Sequence, residues 1–206
     1  MGGPIGASCT VGGRLMAETL AEAVAAARAC RLCADLPLGP RPVVRVSATA
    51  RLLIVGQAPG TAVHASGIPW DDPSGERLRS WLGMTPEVFY DEARVAIVPM
   101  GLCYPGRMVS GGDAPPRPIC APTWHPRLMP LLSSVRLTLA IGGYAINRLI
   151  GPGGMTGHVA NWRAHAATMI PLPHPSWRTI GWEKRNLWFT GELLPCLRAR
   201  LGEIGV

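Results

Sequence analysis

The sequence predicts an α/β fold, a three-layer α/β/α sandwich around a central four-stranded parallel sheet. Four short apolar runs, 52–55, 95–98, 137–141 and 168–172, lack the polar alternation of a half-solvated strand and read as strands buried on both faces. Helix-length segments separate them, as parallel crossovers require. The 206 residues hold no internal repeat and no second composition regime, so one domain spanning 1–206 is expected, with 1–13 as a flexible tail.

Each element has its own signal. Over 14–29, Leu15, Leu20, Ala21, Val24 and Ala27 recur at helical spacing and carry a helix into Cys30. A Pro-rich connection at 36–42 leads to the first strand, Leu52-Leu53-Ile54-Val55, which ends at Gly56. Further helices are predicted over 76–82, 126–132, 144–150 and 188–201, between and after the remaining strands.

Composition narrows the function classes. Hydrophobic residues make up 48% and charged residues 16%, which excludes disorder for the bulk of the chain, while 25 Gly and 21 Pro demand many loops. Arg, Gly or Pro interrupts every apolar stretch before the roughly 18 to 20 residues that a bilayer needs. Met1-Gly2-Gly3-Pro4-Ile5-Gly6 has neither the basic and apolar regions of a secretory signal nor a myristoylation pattern, so a cytoplasmic location is expected. The net charge is +7, carried by nineteen arginines and the single lysine Lys184. Arginine grips phosphates bidentately, so this balance suits a polyanion such as nucleic acid; a basic but indifferent surface is the alternative.

In a reducing compartment six cysteines point to a metal or to catalysis rather than to disulfides. Cys30-Arg31-Leu32-Cys33 places two sulfurs on one turn, and Cys103 and Cys120 form a wider pair across a Gly- and Pro-rich loop. Together they would complete a tetrahedral thiolate set; buried thiols are the alternative. Cys9 and Cys196, isolated near the ends, read as spare.

Ligands collect beyond the carboxyl ends of parallel strands, so the loops there carry the chemistry. They read Gly56-Gln57-Ala58-Pro59-Gly60 after the first strand, Pro99-Met100-Gly101-Leu102-Cys103 after the second and His174-Pro175-Ser176 after the fourth. From about Cys30 to Leu194 the chain resembles the uracil-DNA glycosylase superfamily, most closely its iron–sulfur branches, families 4 and 5. Gly56 to Gly60 is similar to the first motif (G-E-A-P-G or G-L-A-P-G), and His174-Pro175-Ser176 to the second, H-P-S. Gly67-Ile68-Pro69-Trp70 is similar to the G-R-P-F segment, and the cysteine order to that of the [4Fe–4S] ligands.

The resemblance implies a monofunctional DNA glycosylase that excises uracil and leaves an abasic site. The target nucleotide must leave the stack for its N-glycosidic bond to be reached. Trp70 would stack on the extruded base, with core packing as its other reading. The backbone N–H groups of Gln57 and Ala58, with a neutral His174, would stabilise the anion that forms on the base; His174 could instead cap or pack. Gly56, Pro59, Gly60, Gly101 and Ser176 complete the expected substrate contacts. A [4Fe–4S] cluster is implied on Cys30, Cys33, Cys103 and Cys120, with zinc as the competing occupant.

Two departures stand out. The best-known members position water with an Asp where this chain has Ala58, so Asp72, in a stretch resembling the family 5 D-x-S-G, takes that role with Asp71 as its understudy; Asp72 before Pro73 is equally a helix-start signal. An Asn that reads the uracil edge is replaced by Pro99, leaving main-chain groups around Gly101, or Asn161, as substitutes. Trp177, Arg178, Lys184 and Arg185, with Trp182 among them, form the expected DNA-holding segment, an ordinary basic helix start being the alternative. Because Lys184 is the only lysine and lies there, Schiff-base chemistry is not expected. The expected partners are uracil-containing DNA, single- or double-stranded, and free uracil as product; no membrane is involved and a monomer suffices. A uracil-DNA or abasic-site binding protein with little turnover is the second reading, and a cluster-bearing electron carrier a weaker third.

Overall fold

A computed structural model of the chain describes residues 17–206. In order, it comprises α1 (Leu20–Arg28), β1 (Leu52–Val55), α2 (Thr61–Ser66), α3 (Pro73–Leu82), α4 (Pro86–Phe89), β2 (Val95–Ile97), α5 (Cys120–Leu128), β3 (Leu137–Ile141), α6 (Gly143–Leu149), α7 (Met155–Ala160), β4 (Met169–Leu172), α8 (Ile180–Arg185) and α9 (Leu194–Glu203). The expected tail 1–13, with Cys9, and residues Arg14 to Met16 lie outside the described residues.

The sheet is parallel throughout, in the order β2-β1-β3-β4. Every residue of β1 and β2 is buried, which is why these strands read as unbroken apolar runs. The chain leaves β1 towards one side and returns for β3 on its other side, so a crevice opens beyond the carboxyl ends of β1 and β3. With helices around the sheet, the fold is the three-layer α/β/α arrangement that the sequence predicts.

Helix boundaries differ from the expectation for local reasons. α1 begins at Leu20 because Thr19 and Glu22 form a reciprocal cap, Thr19 N–H donating to Glu22 Oε2 at 2.8 Å and Glu22 N–H to Thr19 Oγ1 at 3.3 Å. α3 starts at Pro73, three residues before the predicted Glu76, because Asp72 caps it and proline suits the first turn. α5 starts at Cys120 and tolerates Pro126 inside it, continuing as a 3₁₀ turn at Met129–Leu131, whereas the sequence rule places Pro126 at the helix start. The predicted helix over 188–201 is a π-helical turn at Phe189–Leu193 followed by α9, in which Pro195 lacks the N–H that a continuous α-helix would use. α2, α4, α7 and α8 were not predicted; none exceeds six residues, too short for a periodic apolar face to show.

Candidate active site

Beyond β1, the backbone Gly56-Gln57-Ala58-Pro59-Gly60 lines a cavity of about 90 Å³ that Trp70, Asp72 and His174 complete. Val43, Val63, Pro69, Ile97 and Pro99 give it apolar walls, a suitable setting for a flat heterocycle. The Trp70 indole lies on Gly56, where an added Cβ would come 2.7 Å from Cζ2, so only glycine permits this contact. The indole and the His174 imidazole stand 5.8 Å apart, inclined at 34°. Trp70 has φ +60, the one positive value at a non-glycine position among the described residues. Its carbonyl accepts hydrogen bonds from Arg79 Nη1 and Tyr90 Oη, both at 3.2 Å.

Two N–H groups of the first loop remain available. Among the described residues, neither Gln57 N–H nor Ala58 N–H donates to a protein acceptor, although the Gln57 carbonyl accepts from Gly101 N–H at 2.9 Å. Gln57 Nε2 donates to the Ala114 carbonyl at 3.1 Å and ties this loop to the one between Cys103 and Cys120. Burial pushes His174 below the ordinary histidine value of 6.5 against the pull of Asp72 and Asp113, so its imidazole is neutral at pH 7. Asp72 both caps α3, accepting from Gly75 N–H at 2.8 Å, and lines the cavity, so its two sequence readings coexist.

The cavity opens into a wide cleft of about 640 Å³ through shared walls at Gln57, Ala58, Ser74, Asp113 and His174. Arg107, Tyr144, Ser176, Trp177 and Arg178 line the cleft. Trp177 is 74% exposed, with the Arg178 guanidinium 5.5 Å above its ring centroid. A Cβ placed on Gly112 would stand 3.3 Å from Arg178 Nη1, so that arginine reaches the far loop. Cations and open aromatic faces beside a small cavity make a surface that binds phosphates and stacks bases.

Several expected site residues stand elsewhere. Asp71 is exposed and lines neither cavity, because α3 starts immediately after Asp72 and turns only that carboxylate inward. Gly101 is buried with its N–H spent on Gln57, which removes it as a reader of the base edge. Asn161 is exposed at the C-terminus of α7 and also lines neither cavity. Lys184 and Arg185 are exposed at the end of α8 and do not reach the cleft lining. Trp182 packs against Trp188 and Phe189, its Nε1 donating to Thr156 Oγ1 at 2.8 Å, so it anchors α8 instead of wedging into DNA. The sequence reading missed Arg107, Tyr144 and Asp113. Asp113 is the only acidic residue between Cys103 and Cys120, and no motif or spacing marks it.

A second cavity, about 20 Å³, is lined by Cys30, Cys33, Cys103 and Cys120. All four are free thiols, and Leu102 N–H donates to Cys120 Sγ at 3.2 Å. Burial pushes the Cys33 and Cys120 thiols up and Cys103 to about 11. Among the described residues no three His, Cys, Asp or Glu side chains are set to hold a single metal ion. Four sulfurs around a common space are nevertheless the donor set of a thiolate-bound centre.

Residues 44–198 match the family profile of the Uracil DNA glycosylase superfamily. The chain belongs to that superfamily. The matched region holds both loops of the first cavity, the cleft, Cys103 and Cys120, and begins after Cys30 and Cys33. Membership gives the site a glycosylase-type role in DNA repair, with DNA as the substrate. No helix among the described residues is long and apolar enough to cross a membrane.

Proposed function

We propose that the protein is a monofunctional uracil-DNA glycosylase, which hydrolyses the N-glycosidic bond of a uridine extruded from DNA and leaves an abasic site and free uracil. The observation that carries this reading is the small cavity in which Trp70 sits against Gly56 near a neutral His174, opening into an arginine-lined cleft. The cleft residues Arg107 and Arg178 hold backbone phosphates of single- or double-stranded DNA, while the extruded base stacks on Trp70. As the bond to C1′ breaks, negative charge grows on the base. Gln57 N–H, Ala58 N–H and the His174 imidazole offer hydrogens to that charge, each such donor being worth about 2.7–4 kcal/mol. Asp72 holds water for the sugar, in place of the carboxylate missing at Ala58. The absence of any lysine from the cavity and cleft linings supports hydrolysis without a covalent imine.

Cys30, Cys33, Cys103 and Cys120 are the residues that would hold a [4Fe–4S] cluster. All four line one small cavity, and four cysteines around a common space are the donor set that supports such a thiolate-bound centre. Bound there, the cluster supplies a rigid cross-link. The cysteines themselves join the connection after α1 to both ends of the 103–120 loop. A monomer in the cytoplasm meets every requirement of this reading.

Ala58 favours one competing reading, a uracil-DNA or abasic-site binder with little turnover. A single-turnover incubation with oligonucleotides carrying uracil, hypoxanthine or xanthine, followed by alkali, separates the two. The expected result is alkali-dependent cleavage at uracil, with no strand break before alkali and a loss of about 10²- to 10³-fold in His174→Ala. Tight binding without base release would establish the binder.

A further inference from the structure

We propose that Asp113 is a second catalytic carboxylate, sharing the attacking water with Asp72 and taking its proton. This inference rests on the glycosylase reading of the same site. A Cβ built on Gly60 would lie 3.5 Å from Asp113 Oδ2 and 3.9 Å from Asp72 Oδ2, so two carboxylate oxygens face the side-chain-free spot at Gly60. That spot lies on the lining of the smaller cavity, and Asp113 itself belongs to the walls of both cavity and cleft.

The two carboxylates are held differently. One oxygen of Asp72 is committed to Gly75 N–H as the cap of α3, leaving the other for water. No hydrogen bond engages Asp113 among the described residues, and its neighbours act on it only through space. Desolvation raises its carboxyl above the ordinary value of 3.8, and Asp72 adds to this, while Arg107 and His174 oppose it. A carboxylate with a raised proton affinity and an uncommitted oxygen is the better proton acceptor of such a pair. In the hydrolytic step the water oxygen bonds to C1′ and its proton passes to Asp113. The C1′–N1 electron pair leaves with the base, and Asp113 later returns its proton through solvent to the released base.

The test is single-turnover excision by the full chain over a range of pH, on whichever base of the uracil, hypoxanthine and xanthine panel the wild type releases. Asp113→Asn is expected to lose about 10²-fold or more, with thermal stability and DNA affinity unchanged. The wild-type rate should fall with acid through a limb lying above 3.8; His174→Gln should retain that limb and Asp113→Asn should lose it. Gly60→Ala gives an independent readout. Its backbone, φ −84 and ψ −177, accepts alanine, and the methyl group would fill the place of the shared water, so excision should fall by at least 10-fold without loss of fold. Base release with a normal rate and normal acid limb in Asp113→Asn overturns this assignment and leaves Asp72 as the sole carboxylate. If the wild type releases no base at all, the glycosylase reading falls and takes this role with it.

Discussion

Trp70 carries a left-handed backbone that bulky residues rarely adopt. A bulky residue at φ +60 costs about 1–3 kcal/mol, and the surroundings hold it there: Arg79 and Tyr90 bind its carbonyl, and Gly75 packs so tightly that a Cβ would come 1.7 Å from that oxygen. The turn brings the Cζ2 edge of the indole against Gly56. Gly56→Ala should therefore displace the ring without unfolding the sheet, cutting single-turnover excision by about 5- to 150-fold, the value of one base–aromatic stack, while affinity for undamaged duplex stays the same. Equal losses for damaged and plain DNA would place Trp70 in the phosphate track. Trp70, His174 and Asp72 were legible in the sequence because each lies in a stretch resembling a superfamily motif, His174 just after β4 and Trp70 and Asp72 between α2 and α3. Asp113 was not, since a single acid in a loop has no periodicity or spacing to mark it, and its significance comes entirely from a fold that sets it facing Gly60.

Among the elements, α8 and the 103–120 loop divide the basic residues between two fates. The 3₁₀ turn Trp177–Thr179 points Trp177 and Arg178 at the cleft, whereas α8 presents Lys184 and Arg185 to solvent away from its lining. Opposite them, Arg107 closes the cleft from the loop. Arg107→Ala and Arg178→Ala should each weaken binding to damaged and undamaged DNA alike and lower the salt slope by roughly 0.9 per phosphate on duplex, with the Lys184→Ala/Arg185→Ala pair near wild type. A larger change in the Lys184/Arg185 variant would move the DNA track onto α8. Strands were the most legible elements, because β1 and β3 are apolar enough to stand out along the chain. Short helices were the least: α8 is held by Trp182 against Trp188 and Phe189 just beyond it and by an ion pair to the distant Arg77, neither of which a periodic pattern shows.

At the scale of the whole molecule, the four cysteines bring together the connection after α1 and both ends of the 103–120 loop. Protein purified without air should be brown, with iron and acid-labile sulfide in equal amounts; Cys33→Ser and Cys120→Ser should lose both and melt at a lower temperature. Colourless protein with one zinc per chain would replace the cluster by a single ion. The loop that carries Cys103 and Cys120 also carries Arg107 and Asp113, and Gly101 at its root is wedged so closely that an added Cβ would lie 3.0 Å from Pro116 and 3.3 Å from Ala58. One strip of chain is thus a wall of the thiol cavity on one face and of the reaction cavity on the other. Mechanically, that shared wall couples the two cavities: a substitution that shifts the strip on one face moves it on the other, so the cysteine geometry and the reaction cavity cannot be altered independently through this loop.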